Sequence, residues 1–229
     1  MRQMPLAVRL RDRAVFESFY PGANAESLAH LQQLAHAPRR NVSWLFGPDA
    51  SGKTHLLQAV CALAGRSAVY LPLAELAQLG PEALEGWQES RLLCLDDIDA
   101  LIGRLPWERA LFNLYREAEE RGATLIVAAQ APPLALSFAL ADLGSRFSAA
   151  SLLPLKPLEE EEQRAALRLR AQMRGLELPE EAALYLQRRF PRDMDSLYGL
   201  LDTLDEAALE AGRRLTVPFI RAVLAQPPA

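Results

Sequence analysis

Gly47-Pro48-Asp49-Ala50-Ser51-Gly52-Lys53-Thr54 is the stretch whose reading decides the fold. Its spacing, G-x-x-x-x-G-K-S/T, is that of a phosphate-binding loop joining a buried strand to a helix. The glycines let the backbone curl so that successive amides point inward at phosphate oxygens. The helix that follows adds its own unsatisfied amides and its dipole. Lys53 is placed to reach the terminal phosphates, and the Thr54 hydroxyl to ligate Mg²⁺. The flanks agree, because an apolar run at 42–46 leads in and a segment of helical period at 53–64 leads out. With glycine near 7% of residues, such a string arises by accident in roughly one chain in a hundred of this length. Lys53 is also one of only two lysines, with Lys156, in an arginine-rich chain.

Working outward, Leu92-Leu93-Cys94-Leu95-Asp96-Asp97 places two acids at the end of an apolar run. An acidic side chain there, beside a phosphate loop, holds the hydration shell of Mg²⁺, the role given to Asp96. Asp97 is placed to orient or deprotonate an attacking water; Asp99 reads as solvated. Runs of strand length at 42–46, 68–73, 92–95, 124–129 and 150–153 alternate with helical segments at 25–37, 53–64, 106–121 and, more weakly, 81–87. This alternation predicts an α/β fold, a parallel five-stranded sheet flanked by helices. Pro106 suits a first helical position. Past Leu155 the character changes to helix with short breaks: 159–173, opening on four glutamates that favour a helix N-terminus, then a restart at Pro179, then 192–211. Gly175 stops the first of these, and Thr216 is the expected N-cap of a last helix leading through 219–224. The expected division is a tail at 1–15, a nucleotide-binding α/β domain at 16–157 and a small all-helical domain at 158–229.

Composition excludes little. The chain has 229 residues, 50% apolar and 24% charged, with a formal net charge of −4. That balance offers no surplus of cations for nucleic-acid phosphates. Cys61 and Cys94 lie in apolar runs, without C-x-x-C spacing, and read as core thiols. Neither the apolar core of a signal peptide nor a run of about 18 apolar residues is present, so a cytoplasmic location and no membrane association are expected. Trp44 reads as core, and Trp87 and Trp107 are too scattered for a base-stacking platform. His30 and His36 lack metal spacing, and no serine has a nucleophile-elbow context.

The strings Cys94-Leu95-Asp96-Asp97-Ile98-Asp99, Pro132-Pro133, Leu143-Gly144-Ser145-Arg146-Phe147 and Leu215-Thr216-Val217-Pro218-Phe219-Ile220 resemble the DnaA-related family of AAA+ proteins. Among these the chain is similar to the shorter, Hda-type regulators, over about residues 16–224. The resemblance implies an AAA+ nucleotide-binding domain with a helical lid, holding ADP or ATP with Mg²⁺. It implies that Gly47, Pro48, Asp49, Ala50, Ser51, Gly52, Lys53, Thr54 and His55 line the nucleotide, with His55 a helix-surface residue rather than a base. Relatives of the DnaA type continue into a helix-turn-helix domain; this chain stops soon after Leu224, so no direct sequence-specific DNA binding is expected.

The same resemblance assigns three working parts. Gln3-Met4-Pro5-Leu6 is similar to the short motif that binds the DNA polymerase III sliding clamp, the beta subunit; by itself the string also fits a plain tail. Arg146 falls at the family's arginine finger, which reaches the γ-phosphate held by a neighbouring subunit; by itself it also fits a surface arginine. Tyr20-Pro21-Gly22-Ala23-Asn24 either borders the adenine or forms a simple turn. The chain departs from the family at Gln130, where relatives carry Asp or Asn as a sensor. It departs again at Asp195, where they carry a lid arginine; Arg192, one helical turn away, is the substitute. Asp97 stands where many AAA+ proteins have a glutamate. The implied function is negative regulation of replication initiation. The chain would hold a nucleotide with weak or no hydrolysis of its own, self-associate as a homodimer or homo-oligomer, and stimulate ATP hydrolysis by DnaA. A stand-alone ATPase and an adaptor recruiting another replication protein are the alternatives.

Overall fold

Runs of Leu, Val, Ile and Ala without alternating polar residues suit strands covered on both faces, the condition of a parallel sheet between helices. The structure, a computed structural model, describes residues 14–87, 89–190, 193–211 and 214–225. Five strands pair in the order β2-β3-β4-β1-β5. They are β1 Asn41–Phe46, β2 Ala68–Pro72, β3 Leu92–Asp96, β4 Thr124–Ala129 and β5 Ser151–Pro154, and every pairing is parallel. β3 and β4 are buried along their whole length. Helices α1 Ala25–His36, α2 Lys53–Ala64, α3 Leu73–Leu76, α4 Leu105–Glu120 and α5 Ala141–Ser148 supply the crossovers and covering layers. Because the strands run the same way, the loops leaving β1, β3 and β4 emerge at one edge of the sheet, where ligands of open α/β sheets bind.

Some boundaries move for identifiable reasons. The strand expected to 73 ends at Pro72, because Leu73 already opens α3. The helix expected over 81–87 is a single 3₁₀ turn, Pro81–Leu84. The last strand lies one residue later than expected and ends on Pro154, which an edge strand tolerates because no ladder donor is needed there.

The chain divides into two compact units. The first comprises Glu26–Phe46 and Lys53–Pro154, with the described residues up to Phe16. Trp44 and Phe147, both fully buried, meet as tilted rings at 5.1 Å between centroids, and Tyr115 meets Phe147 edge-on at 5.7 Å. The Trp44 indole N–H donates to the Ala131 carbonyl at 2.9 Å, so this core tryptophan leaves no polar group unsatisfied. Glu108 on α4 is fully buried yet well accommodated. Its carboxylate accepts the backbone N–H groups of Gly103 (2.6 Å), Ala139 (3.1 Å) and Leu140 (2.6 Å), fixing the turn that starts α5.

The second unit comprises Glu17–Ala25, Gly47–Gly52 and the chain from Leu155 onward. Its helices are α6 Glu160–Met173, α7 Glu180–Arg189, α8 Met194–Ala211 and α9 Val217–Leu224. They close over Leu167, Leu186, Leu201, Leu204 and Ile220, with Tyr20 against the same cluster. Glu162 accepts the Glu159 backbone N–H at 2.9 Å, so the glutamate run does cap α6. Gly175, at φ 75°, ends that helix in a conformation that favours glycine. Thr216 stands at the N-cap of α9 but its hydroxyl makes no capping bond, which corrects the expected role of that side chain. Among the described residues no helix is long and apolar enough to cross a membrane.

Candidate nucleotide site

The loop between β1 and α2 has the backbone its sequence demands. Gly52 lies at φ 92°, and a Cβ there would stand 2.7 Å from the Phe19 ring. A Cβ on Gly47 would stand 2.5 Å from the Leu155 carbonyl oxygen. Neither position admits another residue without displacement. Ala50 is also left-handed, at φ 57°, where a non-glycine residue is strained by about 1–2 kcal/mol. The Ser51 hydroxyl is buried and has no hydrogen-bond partner among the described residues. An orphaned buried hydroxyl within a loop of forced curvature fits an anionic oxygen better than an apolar contact. Pro48 and Asp49 are exposed.

Lys53 opens α2 and is buried, at 7% exposure, an unusual state for a lysine and one suited to an ammonium aimed at phosphate. Thr54 beside it is exposed. His55 is half-buried, and its Nε2 lies 3.0 Å from the Val15 carbonyl oxygen. That contact ties α2 to the start of the described chain. Asp96, at 1% exposure, closes β3. The Tyr70 hydroxyl donates to its Oδ2 at 2.7 Å and the Asp97 backbone N–H to its Oδ1 at 3.1 Å. Burial, and then the Asp96 carboxylate, push the Tyr70 phenol far above its ordinary pKa, so it remains a donor. Asp97 is exposed and left-handed at φ 54°. Among the described residues no group of three or more His, Cys, Asp or Glu stands ready to hold a metal. Mg²⁺ is commonly bound by one or two protein oxygens together with substrate phosphates and water. Thr54 and Asp96 are the residues that would serve it.

One expectation is corrected in this region. Asp99 is not a free surface acid: its Oδ2 accepts the backbone N–H of Gln130 at 2.9 Å. Gln130, the departing sensor residue, is exposed, and its backbone is held across from the β3 end. The clamp motif Gln3, Met4, Pro5 and Leu6, and Arg192, lie outside the described residues.

Arg146 occupies a different place. It projects from α5 with its side chain 38% exposed and pairs with Glu119 at 3.0 Å. Its guanidinium lies 5.3 Å from the ring centroids of both Phe112 and Tyr115. Arg40 takes the other oxygen of Glu119 at 2.7 Å. Arg40, and more weakly Arg146, hold the Glu119 carboxyl below its ordinary pKa, against the opposing effect of burial. Arg40, Asn41, Tyr115, Glu119, Arg146 and Ser151 line a cleft of about 230 Å³. Asn41 and Ser151 are the first residues of β1 and β5, whereas Asp96 is the last of β3. A six-residue strand spans about 17–20 Å, so Arg146 and Asp96 stand at opposite ends of the sheet.

Sequence reading missed Tyr70, Arg40 and Glu119. A half-buried tyrosine on a strand, two places out of register with the acid it serves, carries no local signal. A polar residue in an amphipathic helix carries none either.

Comparison with known proteins agrees with this architecture. Residues 160–224 match the family model described as the Hda lid domain. Domain III of the replication initiation protein DnaA from Thermotoga maritima superposes with a TM-score of 0.76 at 23% identity, covering 93% of this chain and 96% of that one. AMPPCP-bound DnaA from Aquifex aeolicus gives a TM-score of 0.70 at 20% identity, covering 88% and 68%. The Thermotoga maritima Holliday junction branch migration motor RuvB is more distant, with a TM-score of 0.58 at 16% identity and coverage of 88% and 67%. The chain therefore shares the fold of these DnaA structures, and its residues 160–224 are similar to the lid domain of Hda.

Proposed function

We propose that this chain is an Hda-like negative regulator of replication initiation, which binds adenine nucleotide and the sliding clamp and supplies Arg146 to the ATP held by DnaA. The observation that carries the reading is the placement of Arg146 at the end of the sheet opposite Asp96, half-exposed and held by Glu119 and two aromatic rings. A cation there is out of reach of a nucleotide bound beside Asp96 and is presented to a neighbour. Its planar fork stabilises charge on a transferring phosphoryl group. The adenine nucleotide is supported by the phosphate loop and by the AMPPCP in the similar Aquifex aeolicus DnaA. Lys53 and the loop amides would hold its phosphates, and Thr54 and Asp96 its Mg²⁺, which when bound neutralises phosphate charge. We assign the nucleotide a structural role, with slow hydrolysis at most.

The test measures ATP hydrolysis by purified DnaA with and without this chain and clamp loaded on DNA. Stimulation that needs the clamp, and that disappears in Arg146→Ala and in a variant lacking residues 3–6, is the expected result. Arm by arm the roles separate. Stimulation that survives Arg146→Ala would remove the finger, and survival of the deletion would remove the clamp motif. Clamp binding with no stimulation would leave an adaptor.

A further inference from the structure

The orientation of Asp96 is not set by its strand alone. Tyr70 on β2 pairs in register with Cys94, two residues before Asp96. Residues i and i+2 of a strand share a face, so a long side chain opposite Cys94 can reach diagonally to Asp96. The Tyr70 hydroxyl does so at 2.7 Å. The Gln58 side chain neighbours that hydroxyl and offsets part of the rise that burial and Asp96 cause in its pKa. Gln58 lies four residues beyond Thr54 on α2, one helical turn along the same face. A line of polar groups thus runs from the helix that carries Lys53 and Thr54, through Gln58 and Tyr70, to the carboxylate at the end of β3. Gln58 and Tyr70 are half-buried, and Asp96 at the end of the line is buried.

Nothing in the packing of β2 requires a hydroxyl at this place; phenylalanine has the same shape. With the phenol on Oδ2 and the Asp97 N–H on Oδ1, each oxygen keeps a lone pair for a metal-bound water. We propose that Tyr70 is a positioning residue for Mg²⁺-nucleotide binding, holding the Asp96 carboxylate in the orientation that meets the metal. The proposal rests on the reading of Asp96 given above. Outer partners of metal-holding groups commonly change metal affinity by about 10–100-fold when removed.

The variant Tyr70→Phe keeps the ring and loses only the hydroxyl. ADP binding to the full chain is measured by calorimetry over a series of Mg²⁺ concentrations, including none. The expected result is unchanged ADP affinity without Mg²⁺ and a roughly tenfold rise in the Mg²⁺ concentration that half-maximally tightens binding. Asp96→Asn removes the tightening, and adding Tyr70→Phe to it changes nothing more. A Tyr70→Phe chain with the native Mg²⁺ dependence, while Asp96→Asn loses it, would overturn the proposal. So would an equal loss of affinity with and without Mg²⁺, which marks a purely structural residue. Native Mg²⁺ dependence in Asp96→Asn itself would instead sink the metal-holding reading of Asp96 on which the proposal stands.

Discussion

Glu119 holds two arginines at once, and the division between them has a measurable signature. Exposed ion pairs contribute only about 0.2–1 kcal/mol, so the tether matters less for stability than for where it keeps Arg146. Glu119 titrates below the ordinary carboxylate range, chiefly because of Arg40. A depressed acid contributes stability that is present above its ordinary pKa and lost as pH falls through the folded-state value. Carboxyl titration by NMR should therefore show the Glu119 pKa rising toward the ordinary value in Arg40→Ala, and rising less in Arg146→Ala. Equal shifts, or none in Arg40→Ala, would contradict the geometry. At this scale the sequence was partly legible. Lys53, Thr54 and Asp96 each sit in a short string whose spacing points to a chemistry, whereas Arg146 is marked only by the family resemblance. Glu119, Arg40 and Tyr70 have no such string, because their partners lie 79 residues (Arg40 to Glu119) and 26 residues (Tyr70 to Asp96) away along the chain. Asp99 was misread for the same reason, its partner being 31 residues on.

Elements were easier to read than their ends. The helix at 53–64 and the strand at 124–129 lie where apolar period placed them, since strong periodicity leaves little choice of register. The segment 81–87 is only a 3₁₀ turn because Gly80, at φ 104°, and Gly86, at φ 92°, bracket it in left-handed backbone. Caps distinguish residue type from actual bond. Glu162 makes its bond to the Glu159 amide, and Thr216 makes none from its side chain. Urea unfolding should accordingly show Glu162→Ala costing about 1 kcal/mol and Thr216→Ala no more than a few tenths. A Thr216→Ala loss as large as that of Glu162→Ala would show the hydroxyl capping in solution.

For the molecule as a whole, nucleotide binding and folding are linked. A ligand at a hundred times its Kd adds about 2.7 kcal/mol to the folded state. In a chain of this size that corresponds to a Tm shift of roughly 5–10 °C. Mg-ADP should produce such a shift in thermal unfolding, and Lys53→Ala should abolish it; a variant that shifts as far as the native chain would remove the loop from the site. The sheet order has a further consequence, for biosynthesis. β1 is the strand on which both β4 and β5 pair, and both are made after it. About 80 residues must be translated before β4 follows it, which at roughly 5–20 residues per second takes on the order of 4–16 s. For that interval Trp44 and Leu45, fully buried in the finished protein, belong to a nascent strand with no neighbour to pair with. The apolar segment 42–46 thus stays unpaired along that edge until the Thr124–Ala129 strand has been made.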